Sequence, residues 1–72
     1  MFKKIIEKNK FSRVNINKIT KIEISKDGQQ KYNYEITFDN RSVINYYFIS
    51  FELMNDFDLL LFNKDIENII LE

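Results

Sequence analysis

The chain has 72 residues, equal numbers of acidic and basic side chains, and neither cysteine nor histidine. Its length limits it to one small domain, residues 1–72, and the missing residue types exclude a disulfide, a cysteine-based zinc site and the usual proton shuttle of an enzyme. Aromatic residues make up 15% of the chain and supply bulk for a core. Small domains without a disulfide or a structural metal site often gain stability by self-association.

The N-terminal segment combines basic residues with a short apolar pattern. Phe2, Ile5 and Ile6 fit one side of a short helix over residues 2–9, and residues 10–15 are expected to form a connection. The longest apolar runs in the chain have only four residues, far too few for a membrane span or a signal peptide. We therefore expect a soluble protein of the cytoplasm with a short N-terminal helix or arm.

Three strands are predicted in the middle of the chain, at residues 17–25, 29–38 and 42–49. In the first two, apolar and polar residues alternate, as is typical of strands with one buried face. The one glycine, Gly28, lies between them, and a three-residue loop over residues 26–28 would pair Glu23 with Lys31. In that loop Gly28 would take the left-handed conformation of a G1 bulge.

The third predicted strand is apolar on both faces. One face carries Ile44, Tyr46 and Phe48, and the other carries Val43, Tyr47 and Ile49. In a simple meander this strand lies at the edge of the sheet, where an apolar strand is prone to pair with another chain. We therefore expect either the C-terminal segment or a second chain to cover it.

A helix is predicted to follow Ser50, whose side chain is a suitable N-cap. Glu52 lies in the first turn, where the helix dipole favours an anion. Apolar residues at helical spacing define the buried face, namely Leu53, Phe57, Leu60 and Leu61. The tail at residues 66–72 fits a helix or a fourth strand equally well.

Together these elements predict an α+β fold. A three-stranded antiparallel meander is packed by a C-terminal helix, and a short N-terminal helix or arm and the C-terminal tail complete the domain. The expected core residues are Ile22, Ile24, Tyr34, Ile36, Phe38, Ile44, Tyr46, Phe48, Leu53, Phe57, Leu60 and Leu61.

Charge is distributed unevenly although the net charge is zero. Residues 1–21 contain seven basic groups and one acidic group, whereas residues 51–72 contain six acidic groups and one basic group. The acidic end is either a solvated helix face, docked against the basic N-terminus of the same chain, or a surface that engages a basic groove on another protein.

No motif for catalysis, for a metal or for a cofactor is present in the sequence. The acidic pairs Asp56/Asp58 and Asp65/Glu67 are two residues apart, so on a helix their side chains would point away from each other. We therefore expect a protein that is not an enzyme and has no cofactor.

The overall profile is similar to that of small proteins carried by phages and other mobile elements of low-G+C bacteria, anti-CRISPR proteins among them. The likeness lies in the short single domain, the missing cysteine and the abundance of Ile, Asn, Lys and Tyr. It implies a stoichiometric inhibitor that binds a host protein or nucleoprotein complex in the cytoplasm of a bacterial host. The likeness assigns no role to any single residue.

The leading hypothesis is therefore a protein-binding module, specifically an inhibitor of a host nucleic-acid-handling complex. Its expected contacts are the acidic residues Glu52, Asp56 and Asp58 together with the surplus aromatic residues Tyr47 and Phe62. One alternative is a structural or regulatory domain that forms a homodimer through the third strand.

A further alternative is a binder of single-stranded nucleic acid. It would use the N-terminal lysines for phosphates and Phe11, Tyr32, Tyr34, Tyr46 and Tyr47 for base stacking. The zero net charge weakens this last case, since such affinity comes mainly from neutralised phosphates.

Overall fold

The structure, a computed structural model, describes residues 1–71 and consists of two three-stranded sheets and one α-helix. In chain order the elements are β1 Phe2–Ile6, β2 Phe11–Asn15, a 3-10 turn Ile16–Lys18, β3 Ile19–Lys26, β4 Tyr32–Phe38, β5 Val43–Phe48, α1 Phe51–Phe62 and β6 Asn68–Ile70. We call β3–β4–β5 the meander sheet and β2–β1–β6 the terminal sheet. Within residues 1–71 no helix has the length and apolar character that crossing a membrane requires.

The α+β class, the antiparallel meander and the helix after Ser50 are confirmed. The Ser50 hydroxyl accepts a hydrogen bond from the Leu53 N–H at 3.2 Å, which is the expected N-cap. The ambiguous tail contains a strand, β6, which runs parallel to β1 and pairs Ile69 with Ile5. The third predicted strand, β5, is an edge of the meander sheet, as expected.

The predicted N-terminal helix over residues 2–9 and the connection at residues 10–15 are wrong, because this segment is the antiparallel hairpin β1–β2. Lys3 and Ile5 point into the interior and are 1% and 0% exposed, whereas Phe2 is largely exposed. A lysine therefore occupies a position where a half-buried strand ordinarily has an apolar residue. The polar residue at this buried position hides the alternation of apolar and polar residues by which a strand is identified from sequence.

The buried ammonium of Lys3 caps the C-terminal end of α1. Its Nζ donates hydrogen bonds to the carbonyl oxygens of Leu60 at 2.9 Å, Ile66 at 2.6 Å and Asn63. The last carbonyls of a helix have no partner within the helix, and the helix dipole favours a cation there. The last turn of α1 has no basic residue of its own, so β1 supplies the charge.

The core lies between the two sheets and α1. Its buried apolar residues are Ile5, Val14, Tyr34, Ile36, Tyr46, Phe48, Met54, Phe57, Leu61 and Ile69. The Phe57 ring is at its centre, with centroid distances of 5.1 Å to Tyr34, 5.1 Å to Tyr46 and 5.2 Å to Phe48. Ring pairs at such distances stabilise a core beyond the area that they bury.

Three of the expected core residues, Ile24, Leu53 and Leu60, are exposed instead. The buried stripe of α1 is formed by Met54, Phe57 and Leu61, so Leu53 and Leu60 lie on the flank of the helix. Ile24 lies on the edge strand β3, whereas α1 packs against β4 and β5.

The turn between β3 and β4 lies two residues further along the chain than predicted. Glu23 pairs with Glu35 rather than with Lys31, and the left-handed residue is Gln30, with φ of 68°, rather than Gly28. The Asp27 carboxylate fixes this loop by accepting hydrogen bonds from the N–H groups of Gln29 at 2.8 Å and Lys31 at 3.0 Å. Glu23 and Lys31 are therefore not cross-strand neighbours, and the ion pair predicted between them does not form.

Gln30→Gly should stabilise the protein by about 0.5–1 kcal/mol, because glycine adopts a left-handed backbone without the steric cost that other residues pay. Urea denaturation measures the change in the free energy of unfolding. Gly28→Ala is the matched control: Gly28 has no positive φ, and a Cβ there would meet no atom within 4 Å. A loss of more than about 1 kcal/mol in the Gly28 variant would return the left-handed role to Gly28.

Candidate protein-binding surface

The α-helix exposes large apolar side chains although it packs against both sheets. We use the name helix surface for the exposed residues Phe51, Glu52, Leu53, Asp56, Leu59, Leu60 and Phe62. Five of these are large and apolar, and Leu59 is 62% exposed. Large apolar side chains exposed in this number on one helix of a small domain favour a site of interaction.

The helix surface is also acidic. Glu52 and Asp56 are one helical turn apart and both exposed, and α1 contains no basic residue. Within residues 1–71 there are three ion pairs, Lys10–Glu7, Lys18–Asp39 and Lys21–Glu23, and none involves a carboxylate of α1. The described part of the basic N-terminus therefore does not neutralise the helix by ion pairing, and the carboxylates face solvent.

Asp58 has a different environment from the other two predicted acidic contacts. It is half-buried, and its Oδ1 accepts a hydrogen bond from the Tyr34 hydroxyl at 2.5 Å. Burial, and then the hydrogen bond and charge of Asp58, raise the pKa of Tyr34 well above its usual value. Asp58 therefore joins α1 to β4 and is not displayed alongside Glu52 and Asp56.

A groove of about 870 Å³ runs along one flank of α1. It is lined by the β1–β2 turn at residues 7–10, the end of β5 at residues 46–48, the helix residues Leu53, Asp56, Phe57 and Leu60, and residues 69–71. Two of the predicted contacts, Tyr47 and Asp56, line this same groove. Phe62 and Glu52 do not line it.

The opposite flank of α1 carries a second aromatic feature. Phe51 is exposed and meets the Tyr32 ring edge-on, with a centroid distance of 6.0 Å. Phe62 is also exposed. Of the predicted contacts, Asp56 therefore lies beside Tyr47 in the groove, whereas Glu52 and Phe62 are exposed on α1 outside it and Asp58 is bonded to Tyr34.

Sequence reasoning missed Leu53 and Leu60 as surface residues because both fit the helical period of the buried stripe. The signal that could have identified them is the number of large apolar positions on α1. Leucine and phenylalanine occur on every side of this 12-residue helix, more than one buried face accommodates.

The free edge of β5 is a second exposed feature. The Phe38 N–H donates a hydrogen bond to the Ser42 carbonyl at 3.0 Å. Since hydrogen-bonded pairs alternate along an antiparallel ladder, this bond and the register of the two strands show which residues of β5 bond to β4. Ile44, Tyr46 and Phe48 direct their backbone groups to β4, so Val43, Asn45 and Tyr47 direct theirs outward. The tail does not cover this edge, because β6 pairs with β1.

The edge of β5 has none of the usual protection against pairing. No charged residue and no proline occurs between Ser42 and Ser50. By contrast, the other edge strand of the meander sheet, β3, carries Lys21, Glu23 and Lys26 and an irregularity in its pairing near Thr20.

The described residues contain no group of three acidic side chains placed to hold a metal ion. Comparison with protein-family models, with curated proteins and with solved structures found no match for this chain. The residues of the chain and the surfaces that they form are therefore the only guide to its function.

Proposed function

We propose that this protein is a non-catalytic protein-binding module that inhibits a host nucleic-acid-handling complex by stoichiometric binding. The observation that carries the proposal is the helix surface. It combines five exposed apolar side chains with Glu52 and Asp56, neither of which is ion-paired within residues 1–71. The complementary partner surface is a basic groove with apolar walls. A channel that normally takes a phosphate backbone has this chemistry, since spaced carboxylates substitute for phosphates.

The two kinds of side chain on the helix surface have different roles in this proposal. Phe51, Leu59 and Phe62 are the anchors, because buried aromatic and aliphatic groups provide most of the affinity of a protein interface. Glu52 and Asp56 provide orientation and a faster association rate, because their charges act over a longer range than apolar contact.

The charge-reversal variant Glu52→Lys/Asp56→Lys should lose at least tenfold of its affinity for the partner, which corresponds to about 1.4 kcal/mol. Tagged protein captures the partner from a nuclease-treated lysate of a low-G+C bacterium, and titration of the purified partner measures the loss. Glu23→Lys is the matched control, because Glu23 is an exposed carboxylate on β3, away from the helix. All three proteins should remain folded, and the helix variant should have a slightly lower urea midpoint because it replaces an anion in the first turn of α1 with a cation.

Two further results decide the identity of the partner class. The captured protein should bind nucleic acid on its own, and added wild-type protein should displace that nucleic acid at one-to-one stoichiometry. Leu59→Lys should weaken capture as well, since it places a charge among the apolar anchors. Equal capture by wild type, Glu52→Lys/Asp56→Lys and Leu59→Lys would contradict the proposal.

The exposed edge of β5 favours a second candidate function, a regulatory or structural homodimer. Antiparallel pairing of two β5 strands about Asn45 places Tyr47 of one copy opposite Val43 of the other. Aromatic and β-branched residues are a favourable cross-strand pair, and no like charges meet along the strand. The two meander sheets would then form one six-stranded sheet.

Tyr47→Lys tests the dimer by placing a charge at this edge. Sedimentation velocity should show a dimer for wild type and a monomer for Tyr47→Lys, without loss of the folded state, because Tyr47 is 66% exposed. Ile24→Lys on the opposite edge strand is the control and should remain dimeric. A wild type that sediments as a monomer at high concentration would rule out this candidate.

A further inference from the structure

The outer face of the terminal sheet is exposed and combines aromatic residues with cations. We use the name outer sheet face for Phe2, Lys4 and Ile6 of β1, Phe11 and Arg13 of β2, and Ile70 of β6. Phe2, Phe11 and Ile70 are 63%, 56% and 70% exposed, and Lys4 and Ile6 between them are half-buried, so most of this face is open to solvent. Large apolar groups on an uncovered sheet face point to a ligand or partner.

Two cations lie side by side at the centre of this face. Lys4 and Arg13 are directly opposite each other in the β1–β2 pairing. Within residues 1–71 neither is in an ion pair with a carboxylate. Like charges directly across a strand pair are destabilising, so the juxtaposition of Lys4 and Arg13 does not itself stabilise the sheet and is suited to an anionic ligand.

The aromatic rings lie on either side of the two cations. Phe11 is opposite Ile6, four residues along β1 from Phe2, which corresponds to a separation along the strand of about 13 Å. Lys4 lies midway between them, and its Nζ is 4.3 Å from the centroid of the Phe11 ring. The order along the face is therefore aromatic, cation, aromatic.

We infer that the outer sheet face binds single-stranded nucleic acid. Phe2 and Phe11 would each stack on a base, and Lys4 and Arg13 would contact the phosphates between those bases. Of the aromatic residues that the sequence offered for stacking, Tyr34 and Tyr46 are buried in the core, and Tyr32 and Tyr47 lie on the meander sheet. Phe11 is the one that lies on this face beside the two cations. None of these residues belongs to the helix surface, so the inference stands independently of the proposed function.

Fluorescence anisotropy with a labelled 12-nucleotide oligo-dT probe tests this inference over a series of salt concentrations. For single strands the slope of log K against log salt is about −0.7 for each neutralised phosphate, so two cations give a slope of about −1.4. Lys4→Gln/Arg13→Gln should bring that slope close to zero. Phe11→Ala should weaken binding about tenfold while leaving the slope unchanged.

Matched control variants distinguish binding at the outer sheet face from non-specific attraction of the probe to any exposed cation or ring. Lys26→Gln/Lys31→Gln removes two exposed cations from the meander sheet, and Phe51→Ala removes an exposed ring from the helix surface. Both should bind the probe as wild type does, and all variants should remain folded, with free energies of unfolding within about 1 kcal/mol of the wild-type value. The inference is overturned if wild type does not bind at low salt, if the controls lose affinity equally, or if a duplex of the same length competes as well as the single strand.

Discussion

Replacing Lys3 with methionine should lower the free energy of unfolding by about 2–3 kcal/mol, measured by urea denaturation. The substitution keeps the length and apolar stem of the side chain but removes three hydrogen bonds to the carbonyls of Leu60, Asn63 and Ile66. The Leu60 and Asn63 carbonyls keep backbone donors from Asn63 and Ile66, at 3.3 Å and 3.2 Å. Most of the lost free energy of unfolding should therefore come from the Ile66 carbonyl, which loses its donor, and from the helix dipole, which loses the cation at its C-terminal end.

The matched control for this prediction is Lys4→Met, the same substitution one residue further along β1. Lys4 lies on the outer face of the terminal sheet, where it contacts the Phe11 ring, so its loss should cost less than about 1 kcal/mol. Amide hydrogen exchange gives a local readout, since Lys3→Met should increase exchange in the last turn of α1. Wild-type stability in Lys3→Met would show that the cost of burying the ammonium cancels its hydrogen bonds.

Tyr34→Phe should lower the free energy of unfolding by about 1.5–2 kcal/mol, because it removes a hydrogen bond to a carboxylate and leaves Asp58 without that donor. Tyr46→Phe is an unusually close control. Tyr46 pairs directly with Tyr34 across β4 and β5, and both side chains are buried. Within residues 1–71 the Tyr46 hydroxyl, by contrast, has no partner in full hydrogen-bond geometry, although the nearby Ser12 side chain opposes the rise in the pKa of Tyr46. Its removal should therefore cost less than about 0.5 kcal/mol.

The two tyrosines also predict how stability depends on alkaline pH. Burial is the main cause that raises the pKa of both side chains, with Asp58 adding to the shift of Tyr34 and Glu7 to that of Tyr46. The folded state therefore keeps phenol protons that the unfolded chain loses above about pH 10, so stability is intact below that pH and falls above it.

Urea denaturation at about pH 8 and about pH 11 measures this fall, which should be smaller in Tyr34→Phe than in wild type. Equal losses in the two proteins would show that Tyr34 does not titrate differently in the folded and unfolded states.

The meander and the helix were predictable because their information is local. Alternation at Ile22 and Ile24 and again at Tyr34 and Ile36 defines the strands, and Ser50 defines the start of α1. The shift of the first turn was not predictable from the glycine alone. The Asp27 carboxylate selects that loop through two hydrogen bonds, and Gln30 accepts the strained conformation.

The terminal sheet could not be predicted from the sequence because it pairs β1 with β6, two strands at opposite ends of the described chain. Residues 68–70 are too short to be identified as a strand until β1 is known to lie beside them. Lys3 makes β1 itself unrecognisable, since its partners are carbonyls of residues about 60 positions away.

The candidate binding site was only partly predictable for the same reason. Glu52, Asp56, Tyr47 and Phe62 are exposed, as a contact residue must be. The role of Asp58 depends on Tyr34, a residue on another element. Likewise, the order of rings and cations on the outer sheet face exists only after β1 and β2 have paired.

The parallel pairing of β1 with β6 sets the order of events during synthesis. The meander sheet is built from neighbouring segments and needs only short loops to close, so it can begin to form while the chain is still emerging from the ribosome. The terminal sheet cannot be completed until residues 68–70 are available, and Lys3 cannot be fully capped before Ile66 is in place. A nascent chain halted before that point would leave the second edge of β1 unpaired and the Lys3 ammonium without the Ile66 carbonyl, and would be a target for chaperones and proteases until residues 66–70 have been added.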